Sequence, residues 1–192
     1  MTRWQPGATQ RLVAAAVDLF AEQGYDATTV AQIAERAGVT KSTFFRHFSD
    51  KRELLVAGQE TLSRLLADGI TEAPADASPL EAVAAGLERA SGEMGPANRE
   101  LGPRIKAAVA ASTELQERDT LKSVGLAAAM TAALVARGVS EPTAHLAGEM
   151  GVLAFKRGYT RWSEGDRDDG TGLAQHALAA LDELRTATAS LG

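Results

Sequence analysis

A chain of 192 residues has room for one large domain or two small ones. It contains no cysteine, which excludes a disulfide framework, a thiolate metal site and a cysteine nucleophile. The net charge of −5 argues against a polyanionic partner until it is resolved along the chain. Residues 1–52 carry seven Lys/Arg against five Asp/Glu, whereas residues 53–192 carry thirteen against twenty. Positive charge is kept at one end of an acidic molecule, the distribution expected where phosphate approaches that end. With no apolar run of about twenty residues and no signal-peptide layout, a soluble cytoplasmic protein without a membrane partner is expected.

Met1 to Gly7 holds Arg3 and Trp4 before a Pro-Gly break and reads as an arm. Leu12, Ala15, Ala16, Leu19 and Phe20 then predict an amphipathic helix over about Thr9–Gln23, stopped by Gly24. Thr29 with Gln32 forms a capping box, and Val30, Ile33, Ala34 and Ala37 make one apolar stripe. Gly38 stops that helix, and Thr40 caps another whose inward residues are Phe44 and Phe48. Lys41, Ser42, Thr43, Phe45, Arg46 and His47 are left outside: donors, cations and a flat ring. Such a pair of short helices is a helix–turn–helix pattern, in which the second helix enters the major groove.

Asp50 with Glu53 is read as a further capping box, opening a helix of about twenty residues through Leu54, Leu55, Leu62, Leu65 and Leu66. Lys51 in its first turn opposes the helix dipole, which makes sense if a phosphate sits at that end. Ser78-Pro79-Leu80-Glu81 starts the next helix, ending near Gly92. Glu93 to Pro103, broken by two glycines and two prolines, reads as a loop with at most a short helix, and helix continues over Ile105–Ala111. Ser112 caps a long helix closed by Gly138, and Ser140 caps another running to about Ser163. The stretch 164–170, EGDRDDG, is a polar linker before a last amphipathic helix from Leu173. The expected fold is all-α with about nine helices. Residues 1–52 are expected to form a three-helix module carrying the helix–turn–helix, and residues 53–192 a helical bundle.

Gly38, Val39, Thr40, Thr43, Phe44, Phe45, His47, Phe48 and Lys51 follow the run G-V-[ST]-x-x-[TA]-[LF]-[YF]-x-H-F-x-x-K. In this the segment closely resembles the recognition helix and following cap of the tetracycline-repressor (TetR) family of one-component regulators. Leu19 to Ala37 fits the family's first two helices as well. Beyond residue 60 the resemblance is one of architecture only.

The resemblance implies roles residue by residue. Thr40, Lys41, Ser42 and Thr43 occupy the turn that meets base edges and adjacent phosphates. Lys41 is placed to reach guanine O6/N7 and the Thr43 methyl a thymine methyl. His47 and Lys51 match phosphate-binding positions, and Arg46 meets either phosphate or solvent. Phe45 stands where the family usually has tyrosine, so its ring packs along the backbone without a hydroxyl donor. Thr28 or Thr29 adds one phosphate contact through a backbone N–H at a helix start.

The same resemblance implies no enzyme and no cofactor but a ligand-responsive transcriptional repressor. It would bind a palindromic operator as a homodimer and be released by a small-molecule effector. Candidate pocket residues are Leu62, Leu66, Ile105 and Met130 with the aromatic row Phe155, Tyr159 and Trp162, supplemented by Met94 and Met150. They point to a largely apolar effector, with Arg104 and Arg157 as candidates for an anionic group. The dimer is expected through the last two helices, where Ala144, Ala147, Gly148, Gly151, Ala154, Ala174, Ala177 and Ala180 permit close approach. Glu141, His145 and Glu149 share one helix face, explained by a solvated edge, and no metal site is expected. The competing reading is an all-α small-molecule-binding or scaffold protein without sequence-specific DNA binding.

Overall fold

The structure, a computed structural model, describes residues 7–165 and 170–191. The arm with Arg3 and Trp4 and residues 166–169 of the polar linker lie outside the described residues. Among the described residues there are nine α-helices and no strand. They are α1 (Ala8–Gln23), α2 (Val30–Arg36), α3 (Lys41–His47), α4 (Gln59–Glu72), α5 (Pro79–Gly92), α6 (Pro96–Ala110), α7 (Thr113–Ala136), α8 (Glu141–Glu164) and α9 (Leu173–Ala189). A 3-10 helix, Lys51–Val56, stands between α3 and α4.

These elements gather into two compact units. The first contains the described residues up to Ala57 together with Pro103–Leu121; the second contains Gly58–Gly102 and the described residues from Lys122 onward. The sequence reading divides the chain after residue 52 and gives the first module no later segment.

In the first unit, Leu12, Ala16, Ile33 and Phe44 are fully buried. Phe20 and Tyr25 meet edge to face with ring centroids 5.2 Å apart. Ala108 and Leu115 are buried in the same cluster. Three short helices enclose too little apolar surface to be stable alone, and the return segment adds what they lack. Ion pairs border it: Arg104 with Asp18, Arg52 with Glu114 at 3.5 Å, and Arg118 with Glu53 at 3.5 Å. All six side chains are 27–43% exposed, so each pair is worth at most about 1 kcal/mol, and the apolar burial decides.

Two expected elements differ. The helix of about twenty residues from Asp50 is broken into the 3-10 helix and α4. Asp50 does cap, accepting from Arg52 N at 2.7 Å and Glu53 N at 3.3 Å. The break comes at Gly58, whose φ of +77° lies in the left-handed region that only glycine enters cheaply. Within the stretch read as a loop over Glu93–Pro103, residues 96–103 are instead the first half of α6. Pro96 sits at the first position, where a missing N–H leaves no helical bond unmade. Asn98 Oδ1 accepts from Gly95 N at 3.1 Å, and Pro103 is carried inside the helix. Ser140 occupies its cap position without bonding backbone; its hydroxyl donates to Thr143 Oγ1 at 2.9 Å.

The second unit is built on close helix crossings. A Cβ on Gly69 would stand 2.7 Å from Ala85 O and Gly86 Cα, and one on Gly86 2.7 Å from Leu66 O, so α4 and α5 touch backbone to backbone. On α8, a Cβ at Gly158 would meet Ala177 Cα of α9 at 2.6 Å. One at Gly148 would meet Thr131 Oγ1 of α7 at 2.7 Å, and one at Gly151 would meet Met130 Sδ at 2.6 Å. Ala144, Ala147, Ala154, Ala177 and Ala180 are buried in the same core and Ala174 is half-buried. The small residues assigned from sequence to a subunit contact therefore pack inside one copy. Helical spacing reveals that two axes approach closely, but not which chain supplies the second axis. A further difference concerns α7, Thr113–Ala136, which is long and apolar enough by length and composition to cross a membrane.

Gly86→Val is expected to destabilise the second unit by about 1–3 kcal/mol or more through forced separation of α4 and α5. Leu115→Ala is expected to cost the first unit about 2–5 kcal/mol. Urea unfolding followed by helical circular dichroism checks both.

Candidate nucleic-acid interface

The interface is positioned by local hydrogen bonds. At the start of α2, Gln32 N donates to Thr29 Oγ1 at 3.3 Å while Thr29 N donates to Gln32 Oε1 at 2.8 Å, the reciprocal capping box. At its end Val39 N reaches back to Ala34 O at 2.9 Å and Gly38 N to Glu35 O at 3.0 Å. This is a Schellman motif, and it needs the left-handed φ of +66° that Gly38 supplies. Thr40 then caps α3, its Oγ1 accepting from Thr43 N at 3.1 Å.

Phe44 is fully buried, and its ring lies 5.7 Å from that of Phe48, also buried. These two side chains fix which side of α3 faces in. Thr40, Lys41, Ser42, Phe45, Arg46 and His47 are left exposed and Thr43 half-buried. Phe45 is 57% exposed, an unusual position for a phenylalanine without a partner to cover it. Arg46 Nη2 donates to Thr43 Oγ1 at 3.0 Å, and His47 Nδ1 lies 3.3 Å from Thr9 Oγ1 of α1.

Thr28, Thr29 and Lys51 are engaged within the protein. Thr28 is 1% exposed; its hydroxyl donates to Gly24 O at 2.7 Å and its backbone N–H to Tyr25 O at 3.2 Å. The Thr29 backbone N–H is held by Gln32. Both backbone donors named for a phosphate thus already have partners. The Lys51 ammonium donates to Tyr25 O at 2.6 Å and Thr28 O at 3.0 Å, and sits 4.0 Å from the centroid of the Tyr25 ring. The cation expected from sequence to oppose a helix dipole closes the turn between α1 and α2. Its partners lie more than twenty residues upstream, beyond the reach of any local pattern. Burial raises the pKa of the Tyr25 hydroxyl, with Glu114 adding to the effect.

The expected effector residues are only partly brought together. Leu62, Leu66, Met130, Phe155 and Trp162 are buried in the core of the second unit. Tyr159 packs against that core, its ring 6.2 Å from Phe155 and 5.8 Å from Trp162. Burial lifts the Tyr159 hydroxyl to a pKa of about 12, so it stays a donor, 2.5 Å from Asn98 O. Ile105 is separated from the set, packing against the core of the first unit. A pocket of about 290 Å³ is lined by Met94, Gly95, Pro96, Arg99, Glu100 and Trp162, with the Arg99 guanidinium 5.7 Å from the Trp162 ring. Sequence reasoning missed Pro96, Arg99 and Glu100 because they lie in the stretch taken for a loop. Arg104 pairs with Asp18, and Arg157 is exposed on α8. Among the described residues, no three of His, Asp or Glu converge to hold a metal ion. Glu141, His145 and Glu149 instead line a groove of about 580 Å³ beside α7.

Two short helices joined by a Schellman turn, the second anchored by buried rings and polar on its outer side, define a helix–turn–helix module of the DNA-binding class. Residues 12–57 match the model of the bacterial regulatory proteins of the tetR family. The transcriptional regulator TcmR of Streptomyces glaucescens is 34% identical over 97 residues, 46% of this chain and 43% of the relative. The matched stretch thus spans less than half the length of that protein. A structure from Syntrophomonas wolfei assigned to the TetR family shares the fold at a TM-score of 0.62 and 18% identity, covering 96% of each chain. The regulator FadR of Bacillus subtilis, solved in complex with stearoyl-CoA, shares it at 0.54 and 20% identity over 91% of this chain and 96% of its own.

Replacing Lys51 with methionine should lower the melting temperature of the first unit, with a loss of about 2 kcal/mol as carbonyls lose a charged donor. The Asp50 carboxyl is held below the usual carboxylate range, first by its bond to Arg52 and then by backbone donors. Its stabilisation is complete above the unfolded value near pH 4 and is lost as pH falls through the lower, folded value. Asp50→Asn is expected to reduce stability at neutral pH and flatten the acid limb of a stability–pH curve.

Proposed function

We propose that this chain is a ligand-responsive transcriptional repressor that binds a palindromic operator as a homodimer. The observation that carries this reading is the solvent-facing surface of α3, where Thr40, Lys41, Ser42, Phe45, Arg46 and His47 are exposed and Thr43 half-buried around the buried anchor Phe44. Thr40 to Thr43 lie in the first turn of α3, the part of a recognition helix that meets base edges. Lys41 reads a guanine edge, the Phe45 ring packs on the sugar–phosphate backbone, and Arg46 and His47 meet phosphates. Lys51 acts indirectly, holding the turn before α2 from which that helix starts. Two such surfaces related by a two-fold axis read half-sites roughly 34–36 Å apart, which is why a dimer is required.

The effector binds in the second unit at the pocket beside Trp162. Met94 and Pro96 favour an apolar body and Arg99 an anionic group. The fold shared with a regulator solved with stearoyl-CoA supports a small-molecule effector. A volume of about 290 Å³ suits a compact molecule rather than a full acyl-CoA. Effector and operator favour different conformations of the dimer, so binding one weakens binding of the other.

A fluorescence-anisotropy titration of the DNA upstream of the chain's own coding region, at two salt concentrations, tests the reading. Log affinity should fall by about 0.9 per phosphate contact for each tenfold rise in salt. Lys41→Ala should relax sequence preference at one position by about 1–3 kcal/mol, whereas His47→Ala should weaken all sequences alike. The rival scaffold reading requires an affinity that neither salt nor these substitutions change.

A further inference from the structure

We infer that Thr9 is a positioning residue for His47. Its hydroxyl donates to Nδ1 of the imidazole, so that the neutral ring carries its proton on Nε2 and offers it to a phosphate oxygen. This rests on the phosphate role proposed above for His47 and extends that site from α3 to α1.

The inward stripe of α1 begins with a polar residue. Thr9 precedes Leu12 and Ala16 at helical spacing, so the three side chains lie along one side of the helix. Leu12 and Ala16 are fully buried in the core of the first unit, whereas Thr9 is half-buried and comes over the end of α3. There its Oγ1 lies 3.3 Å from His47 Nδ1. The path of α1 at this point is fixed twice: by the buried stripe, and by Arg11, whose Nε donates to Ala37 O at 3.2 Å. Phe48, buried next to His47, has its ring centroid 6.4 Å from that of the imidazole. The exposed ring therefore has two fixed neighbours. The other polar side chains of this helix are tied locally instead, Thr40 to Thr43 at 3.0 Å and Arg46 to Thr43 at 3.0 Å.

The chemistry of the ring decides what this contact does. A neutral imidazole has one N–H and one lone pair, and a phosphodiester oxygen only accepts. A ring protonated on Nδ1 alone would turn its Nε2 lone pair to the phosphate and repel it. A hydroxyl donating to Nδ1 requires the lone pair there, and so puts the proton on Nε2. Among the described residues Nε2 has no hydrogen-bond partner in the protein, and it stands on the edge of the ring away from Thr9. A hydroxyl also accepts. When the ring is charged, the same Thr9 receives a bond from Nδ1–H, and the ring keeps its orientation in either form.

Long-range nitrogen–proton NMR spectra of the full chain without DNA, taken where the ring is neutral, read the His47 tautomer directly. Wild type and Thr9→Ser should show the Nε2–H form, and Thr9→Val a measurable share of the Nδ1–H form. Binding to a mixed-sequence duplex at low salt, followed by fluorescence anisotropy, gives a second readout, because a phosphate contact is independent of sequence. Thr9→Val should weaken that binding about fivefold and Thr9→Ser should restore it, whereas in a His47→Ala background Thr9→Val should cost nothing further. A residue that only stabilised the start of α1 would weaken both backgrounds equally. Equal losses in the two backgrounds, an Nδ1–H ring in the wild type, or a Thr9→Val ring with no Nδ1–H form overturn the inference. A His47→Ala variant that binds as tightly as the wild type removes the phosphate role proposed for His47 instead. The NMR arm, which needs no DNA, then still confirms or refutes the positioning by Thr9.

Discussion

The burial of Phe44 is the constraint on which the candidate interface depends. A helix of two turns such as α3 is not stable in water on its own, because the cost of its first turn is not recovered over so few residues. It exists here because Phe44 and Phe48 enter a core built from α1, α2 and the segment 103–121. That anchorage does more than stabilise. With two points fixed four residues apart, the helix cannot rotate about its axis, and the polar residues between them are held outward. Pre-organisation of this kind lowers the entropic cost of binding, since the side chains that would meet DNA are already on one surface.

The first unit shows how a small module becomes stable without growing. Its own helices leave apolar surface that Ala108 and Leu115, from a stretch some fifty residues further on, complete. Lys51 makes the corresponding polar closure, taking up carbonyls that the turn between α1 and α2 leaves without helical partners. Neither contribution comes from a residue that advertises it. One is a leucine in a helix that continues into the second unit, the other a lysine that local rules would assign to the approaching phosphate.

In the second unit, glycine and alanine are used where helix axes nearly touch, at Gly69 with Gly86, Gly148 with Thr131 and Gly158 with Ala177. A glycine inside a helix costs about 1 kcal/mol against alanine, and the close crossings offset that cost through dense packing. Leu126, Met130, Leu134, Phe155 and Trp162 of α7 and α8 are buried in that core, while Val124, Val135, Leu146 and Leu153 of the same helices are exposed.

The sequence by itself determined what depends on neighbours a few residues away. The caps at Thr29, Thr40 and Ser78, the Gly38 turn, the inward Phe44 and Phe48, and nearly all the helices belong to this class, because backbone hydrogen bonds and helical spacing are local. The left-handed Gly58 and the passage of α6 across Pro103 were harder to read, since a local breaker acts only as far as the surrounding packing allows. Partnership was decided by the tertiary structure alone. The Lys51 ammonium turned to distant carbonyls, Thr28 became buried, Ile105 joined the other core, and the small residues of α8 closed on α7 as well as on α9. A one-dimensional pattern records that a residue requires a partner, but which group arrives is fixed only when remote segments are brought within a few ångströms.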